Sequence, residues 1–90
     1  MNIKVKITKL GVSEKVKAIA DAVIADSFAV HGIKIIENEK GVYIAMPNER
    51  WTTKDGETKY TDIFHPVNQE ARAELQKAVF AAYDEKLRNN

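Results

Sequence analysis

Residues 16–36 read VKAIADAVIADSFAVHGIKII, and this stretch decides the fold. Two apolar segments, residues 16–25 and 28–36, meet at Asp26-Ser27, a pair of residues typical of a tight turn. The second segment has the composition of a strand. The first is rich in β-branched residues but also in alanine, so its pattern leaves a strand and a helix both open. The centre of the chain is therefore predicted to be two elements joined by a tight turn, the second of them a strand.

The alternation of apolar residues changes phase inside the second segment. Phe28 and Val30 share one parity, Ile33 and Ile35 share the other, and Gly32 lies at the change. One extra residue in a strand returns the following side chains to the inward face. An interior glycine often marks such a place. We therefore predict a β-bulge at Gly32.

Shorter segments on both sides of this centre add further strands. Residues 3–8 alternate apolar and polar side chains, which is typical of a strand with one buried face. Residues 42–46 form a short apolar strand that a proline ends, and residues 60–64 can return as another strand. The polar residues 48–59 between them carry an Asp-Gly pair at their centre, which predicts a hairpin tip or a mobile loop.

A helix follows from Asn68, whose side chain can accept bonds from the first free backbone N–H groups. Its apolar residues recur at a spacing of 3.6 and are mostly small, so the helix can approach a sheet closely. They are Ala71, Leu75, Ala78, Val79 and Ala82. Phe80, Tyr83 and Leu87 fall on the flank and back of the helix. Two interpretations of these three stay open: a dimer interface, or packing at the edge of the core.

The 90 residues are sufficient for one domain, residues 1–90. A domain this small buries only about 60–65% of its unfolded surface, and dimerisation is a common source of added stability. The absence of cysteine excludes disulfides and thiolate metal sites. No apolar run is long enough to predict a transmembrane helix, and the N-terminus lacks the apolar core of a signal peptide. We therefore expect a cytoplasmic protein.

The net charge of +1 hides an uneven distribution. Residues 1–20 carry five lysines against one glutamate, a local charge of +4, so the other seventy residues sum to −3. This pattern indicates a local basic face and excludes a uniformly basic nucleic-acid-binding surface.

The residue types present do not favour a catalytic site or a metal site. His65 and Asp62 could form an orienting pair for general-base chemistry, but no suitable nucleophile accompanies them. A structural role for His65, satisfying backbone groups where a strand passes into the helix, is the favoured interpretation. His31, beside the predicted bulge, is expected to have a structural or interface role. Two distant histidines without cysteine make a poor metal set. We expect no enzyme activity, metal or cofactor.

A nucleic-acid interface is the functional site that the polar stretch suggests. Arg50 and Lys54 flank Trp51, and such a combination can hold phosphates and stack a base. Arg72 lies near the helix start, where free N–H groups add positive potential. The complete candidate set is Arg50, Trp51, Lys54, Lys59, Arg72 and Lys77.

Three runs of sequence resemble the stage V sporulation protein G (SpoVG) family. They are AIADAVIADSFAVHGIKIIE at residues 18–37, GVYIAMP at residues 41–47 and DGETKYTDIFHPVNQEAR at residues 55–72. The last run keeps the Asp-Gly turn, the Asp-Ile-x-His-Pro block and an arginine in the first helical turn. The stretch of residues 48–59 is a few residues longer than the usual family pattern.

The resemblance implies an α+β fold, a mainly antiparallel sheet with a C-terminal helix packed on it. It also implies a homodimer that binds DNA or RNA and regulates gene expression linked to sporulation or septation. The alternative is a non-enzymatic protein–protein interaction module whose dimer docks on a larger assembly. Salt-dependent binding to nucleic acid distinguishes the two, because neutralising phosphates releases counterions.

Overall fold

The computed structural model describes residues 2–89, and it has the predicted α+β architecture of antiparallel sheets and one helix. Strands β1 to β4 form one sheet in the order β1-β2-β3-β4, and β5 pairs with β6 in a separate two-stranded sheet. The elements are β1 (Ile3–Leu10), β2 (Val16–Ile24), β3 (Phe28–Asn38), β4 (Gly41–Ala45), β5 (Asn48–Thr52), β6 (Thr58–Asp62) and α1 (Gln69–Arg88).

The alanine-rich segment is strand β2, which decides between the two interpretations of its pattern. Ala18, Ala20 and Ala22 alternate with larger residues, so all three point to one face of the sheet and are almost completely buried. Their small side chains leave room above the centre of the sheet. The period of two in these alanines outweighs their helix propensity, because it lets one face of β2 be buried whole.

The bulge predicted at Gly32 is confirmed. Ala20 pairs with Ile33 and Ala22 with Val30, so the single residue Asp21 lies opposite two residues of β3. Gly32 has φ of +82°, a backbone conformation that favours glycine. The extra residue keeps Val30 and Ile33 on the same buried face.

Asp21 holds the bulge from the opposite strand. Its Oδ2 lies 2.8 Å from Nδ1 of His31, and its Oδ1 accepts a bond of 3.4 Å from the backbone N–H of Gly32. The carboxylate thus contacts both residues of the bulge. The structural role expected for His31 agrees with this contact.

The helix packs on the inner face of the sheet, over β1. Asn68 caps it as predicted: its Oδ1 accepts a 2.7 Å bond from the backbone N–H of Ala71. Leu75 and Val79 lie in the core beside the alanines of β2. Burial of such side chains is the main source of stability here, at about 1.5–3 kcal/mol for each large residue.

The three residues considered for a dimer interface separate into two groups. Phe80 and Tyr83 are half-buried and pack against the protein's own core. Leu87 is 50% exposed. The interpretation as packing at the edge of the core therefore describes Phe80 and Tyr83, whereas an interface role for all three stays a prediction.

The polar stretch is a β-hairpin, which decides between the hairpin tip and the mobile loop that its sequence left open. The paired region extends further than a tip, because residues 48–52 form strand β5. Every residue of β5 and β6 is exposed. The turn between them is closed by a 2.9 Å bond from the N–H of Thr53 to the carbonyl of Glu57, and Gly56 supplies a φ of +84°. Five cross-strand pairs in register explain why these polar residues adopt strand geometry.

The hairpin joins the rest of the molecule at its root. The N–H of Ile63 donates a 2.9 Å bond to the carbonyl of Pro47, which brings the two ends of the hairpin together. The described chain is elongated, with extents of 46 × 31 × 22 Å. An isolated two-stranded hairpin is at best marginally stable in water, so this one depends on its attachment at the root.

Candidate nucleic-acid interface

The hairpin separates the predicted interface residues onto two faces. Arg50 pairs with Tyr60, and Trp51 pairs with Lys59. Opposite residues in an antiparallel pair share a face, and neighbours along a strand point to opposite faces. Arg50 and Trp51 therefore cannot act together from one side of a loop, as their closeness in sequence suggested.

Trp51 is held as a preformed platform on its face. Its Nε1–H donates a 2.9 Å bond to Oγ1 of Thr61, and Nζ of Lys59 lies 5.9 Å from the centre of the ring. The second contact is a cation–π interaction. The side chain is still 45% exposed, so a planar group can stack on it beside a positive charge.

The other face of the hairpin leads to a shallow groove at its root. The groove is lined by Tyr60, Thr61, Asp62, His65 and Arg72. It brings the end of β6 together with the first turn of α1, as the hypothesis of a hairpin–helix surface requires. Arg72 offers a fork of N–H donors suited to phosphate, and the Tyr60 ring, 65% exposed, offers an aromatic face.

Two members of the predicted set lie away from this groove. Lys54 is in the exposed turn at the tip of the hairpin. Lys77 lines a different depression, beside Ile3 of β1. The structure therefore groups Arg50, Trp51 and Lys59 on the hairpin, with Arg72 at its root, whereas a contact of Lys77 with the same ligand stays a prediction.

Acidic residues set limits on this surface. Asp62 lines the groove itself, and Glu49 lies on the Trp51 face, opposite Thr61. A carboxylate beside a phosphate repels it, by an amount that depends strongly on exposure and salt. Both carboxylates therefore oppose the binding of a phosphate by Arg72 and Arg50.

Sequence reasoning missed Tyr60 and His65 as residues of the groove. His65 was expected to satisfy backbone groups, but it is exposed and makes no hydrogen bond with any residue in the range 2–89. The sequence did contain a signal for Tyr60. Once the Asp-Gly turn fixes the register, Tyr60 falls opposite Arg50.

Comparison with known proteins places the chain in a family. The SpoVG family model matches residues 1–85, which is nearly the whole sequence. The chain belongs to the SpoVG family. This confirms the resemblance noted from the three sequence runs.

Curated SpoVG relatives from several bacteria are similar to this chain over most of its length. A protein of Lachnospira eligens is 46% identical over 85 residues, covering 93% of this chain and 92% of the relative. One from Clostridium perfringens is 46% identical over 90 residues, covering 99% and 94%. One from Macrococcus caseolyticus is 40% identical over 81 residues, covering 90% and 67%. All three bear the name "Putative septation protein SpoVG".

Residues 2–89 include no helix with the length and apolar character that a bilayer crossing requires.

Proposed function

We propose that this SpoVG protein is a regulator that binds DNA or RNA as a homodimer and acts in a process linked to septation or sporulation. The observation that carries the proposal is the groove at the hairpin root, which Arg72 and Tyr60 both line beside the helix start. A guanidinium and an exposed aromatic ring are the two groups that hold phosphate and base in sequence-tolerant complexes. The name of the relatives supports the biological setting.

In this proposal the arginines bind phosphates and the aromatic rings stack on bases. Arg72 and Arg50 neutralise phosphates, which gives affinity without sequence preference. Tyr60 and Trp51 provide surfaces on which bases can stack, at about 1–3 kcal/mol for each base. Stacking on exposed rings needs unpaired bases, so this surface suits single strands or loops better than an intact duplex.

The proposal is tested by a mobility-shift assay with random duplex and single-stranded probes at two salt concentrations. The double variant Arg50→Ala/Arg72→Ala should weaken binding to all sequences and lower the slope of log K against log salt by about two. Lys4→Ala/Lys6→Ala, on the outer face of β1, is the control. Lys4 is already paired with Asp26 at 3.1 Å. Loss of binding in the β1 variant alone would move the site to the N-terminal strand.

A protein–protein interaction module is the second candidate function. Ile63 and Val67, on either side of His65, are 67% and 85% exposed. Their apolar side chains offer neither a charge nor a hydrogen-bond donor to a phosphate. Exposed apolar side chains near one another commonly mark contacts with other proteins. If the wild-type protein binds none of the probes at either salt concentration, this candidate replaces the first.

A further inference from the structure

The four-stranded sheet has one face covered by the helix and one face without such a cover. α1, the only helix in residues 2–89, packs on the side that carries the buried alanines of β2. The opposite side, here called the outer face, carries the alternate residues of each strand. An antiparallel sheet commonly leaves one face in water, and the side chains there are then polar. The outer face of this sheet does not follow that pattern.

Apolar side chains form a stripe along the middle of the outer face. They point away from the helix because the alanines that alternate with them in β2 point toward it. The stripe begins at Val23, which is 39% exposed, and reaches the row in which Val16 pairs with Ile36. These rows are seven residues apart along β2, a length of about 23 Å. The members of this apolar stripe are Val16, Ile19, Val23, Ile36 and Tyr43.

Lysines lie on both sides of the apolar stripe. Ile19 pairs with Lys9 of β1 on one side and with Lys34 of β3 on the other, so the three share one row of the outer face. Adjacent strands are about 4.8 Å apart, which places the Cα atoms of the two lysines about 10 Å from each other. Both lysines are exposed, and neither forms an ion pair within residues 2–89. Lys6 of β1 adds a third exposed charge of this kind on the same face.

The carboxylates near the outer face already have partners. Asp21 is the only acidic residue of β1 to β3 that points to this side, and its Oδ2 lies 2.8 Å from Nδ1 of His31. Asp26, in the turn after β2, pairs with Lys4 at 3.1 Å. The other lysines of the face therefore keep a net positive charge beside an apolar surface.

We propose that the outer face binds an amphipathic helix of another protein, with apolar residues along its centre and acidic residues on both flanks. The backbone groups of β2 are satisfied by pairing with β1 and β3, so a partner must pack here through side chains, as α1 does on the other side. A helix is about 10–12 Å across, close to the separation of Lys9 and Lys34. Its apolar residues then contact Ile19, while a carboxylate on each flank reaches a lysine.

The side chains of the outer face favour an acidic helix over a nucleic acid. Valine and isoleucine have no ring on which a base can stack, and the one aromatic member of the stripe, Tyr43, lies on the edge strand β4. Bidentate binding of phosphate requires arginine, whereas the cations here are lysines. The aliphatic stripe gains free energy only by contact with an apolar partner. This surface is separate from the hairpin root and goes beyond the proposed function.

Binding is measured by fluorescence anisotropy with two labelled helical peptides of 20 residues. In the first, leucines form one stripe, glutamates flank it on both sides, and alanines fill the remaining positions. The second has lysine in place of each glutamate. The wild-type protein should bind the glutamate peptide at least tenfold more tightly than the lysine peptide at low salt. Added salt should reduce this difference, because exposed charges are screened.

A charge reversal on the outer face tests the position of the site. Lys9→Glu/Lys34→Glu should raise the Kd for the glutamate peptide about tenfold or more and lower the Kd for the lysine peptide. The gain of binding to the lysine peptide shows that the variant is folded. Lys77→Glu/Lys86→Glu makes the same change in net charge on α1, behind the sheet, and should keep the wild-type order of the two peptides.

A second variant tests the apolar stripe. Ile19→Thr keeps a β-branched side chain suited to a strand but replaces apolar surface with a hydroxyl. It should raise the Kd for the glutamate peptide severalfold, and this loss should persist at high salt, where the charges contribute little. Ile63→Thr makes the same substitution at the exposed hairpin root and should leave the Kd unchanged.

The results distinguish this inference from the proposed function. Preference for the glutamate peptide, its reversal in Lys9→Glu/Lys34→Glu and weakening by Ile19→Thr support the outer face. No binding of the glutamate peptide, equal binding of both peptides, or a loss only in Ile63→Thr overturns it. It is also overturned if the charge-reversed variant weakens the mobility shift of nucleic acid as strongly as Arg50→Ala/Arg72→Ala does. A wild type that shifts no nucleic-acid probe but binds the glutamate peptide as described overturns the proposed function alone.

Discussion

The two hairpins of this protein, β2–β3 and β5–β6, are built from the same kind of pairing but are stabilised differently. The β2–β3 hairpin lies in the middle of the large sheet and contributes most of the buried side chains. The β5–β6 hairpin has no buried residue. Cross-strand pairs alone contribute roughly 0.2–1 kcal/mol each, which hardly offsets the entropy of ordering the chain.

This comparison distinguishes residues that stabilise the fold, in β2–β3, from residues available to bind a ligand, in β5–β6. Side chains of the β2–β3 hairpin are fixed by contacts on the helix-covered face. Side chains of the β5–β6 hairpin, including Trp51 and Tyr60, contact chiefly one another and solvent. Regions of low local stability are where binding surfaces are commonly found, because their side chains are not needed for the core. The following variants measure this difference.

The largest effect is expected from truncating a core residue of the buried hairpin. Ile33 is completely buried, so Ile33→Ala should lower the free energy of unfolding by about 3 kcal/mol through lost burial and a residual cavity. Tyr60→Ala, at an exposed residue of the other hairpin, should lower it by less than about 0.5 kcal/mol. Urea denaturation of both variants makes the comparison. Similar losses in the two would mean that the β5–β6 hairpin belongs to the cooperative core.

A matched pair of glycines gives a sharper comparison. Gly32 and Gly56 have φ of +82° and +84°, and no atom lies within 4 Å of a Cβ built on either. Alanine at each position should therefore cost the same conformational strain, about 1–2 kcal/mol, without a clash. Gly32→Ala should lower the free energy of global unfolding by that amount. Gly56→Ala should lower only the free energy of opening the β5–β6 hairpin.

Native-state hydrogen exchange distinguishes the two glycine variants. Amides of β5 and β6 should exchange faster in Gly56→Ala, while those of β2 keep the wild-type rate. In Gly32→Ala the slowest amides of β2 should accelerate. A loss of protection across the whole sheet in Gly56→Ala would contradict the independence of the exposed hairpin.

Much of this fold could be predicted from the sequence because its signals are local. The phase change at Gly32 predicted the bulge, since only an extra residue lets Val30 and Ile33 face the same way. Asn68 predicted the start of the helix through its capping side chain. The pattern could not decide the nature of β2, because alanine suits both a helix and a closely packed strand. Pairing with β1 on one side and β3 on the other, a tertiary effect, decided it.

The candidate site was harder to predict, because it depends on which faces the side chains share. Arg50 and Trp51 are neighbours in sequence, but strand geometry sends them to opposite faces. The prediction for residues 48–59, a hairpin tip or a mobile loop, assigned no strand to residues 48–52 and so concealed this separation. That Tyr60 and Arg72 line one groove depends on how the hairpin returns to the helix, which no local pattern encodes.

The smallest expected effect concerns the turn that closes the buried hairpin. Ala25 and Asp26 have φ of +54° and +53°, and the N–H of Ser27 donates a 3.0 Å bond to the carbonyl of Ile24. This is a type I′ turn, which favours asparagine and glycine. Alanine at φ above zero is strained, and the surrounding packing of β2 and β3 holds it there. The exposed hairpin, by contrast, has a glycine at Gly56.

Relieving this strain should stabilise the protein. Asparagine tolerates the left-handed conformation, so Ala25→Asn should raise the free energy of unfolding by about 0.5 kcal/mol and the Tm by about 2–4 °C. The same substitution at Ala29, an exposed residue of β3, should lower the Tm because asparagine is unfavourable in strands. Opposite signs at these two alanines would attribute the gain to the backbone of the turn. A loss at both positions would mean that the turn imposes no strain on Ala25, and that the packing of the buried hairpin sets its geometry without cost.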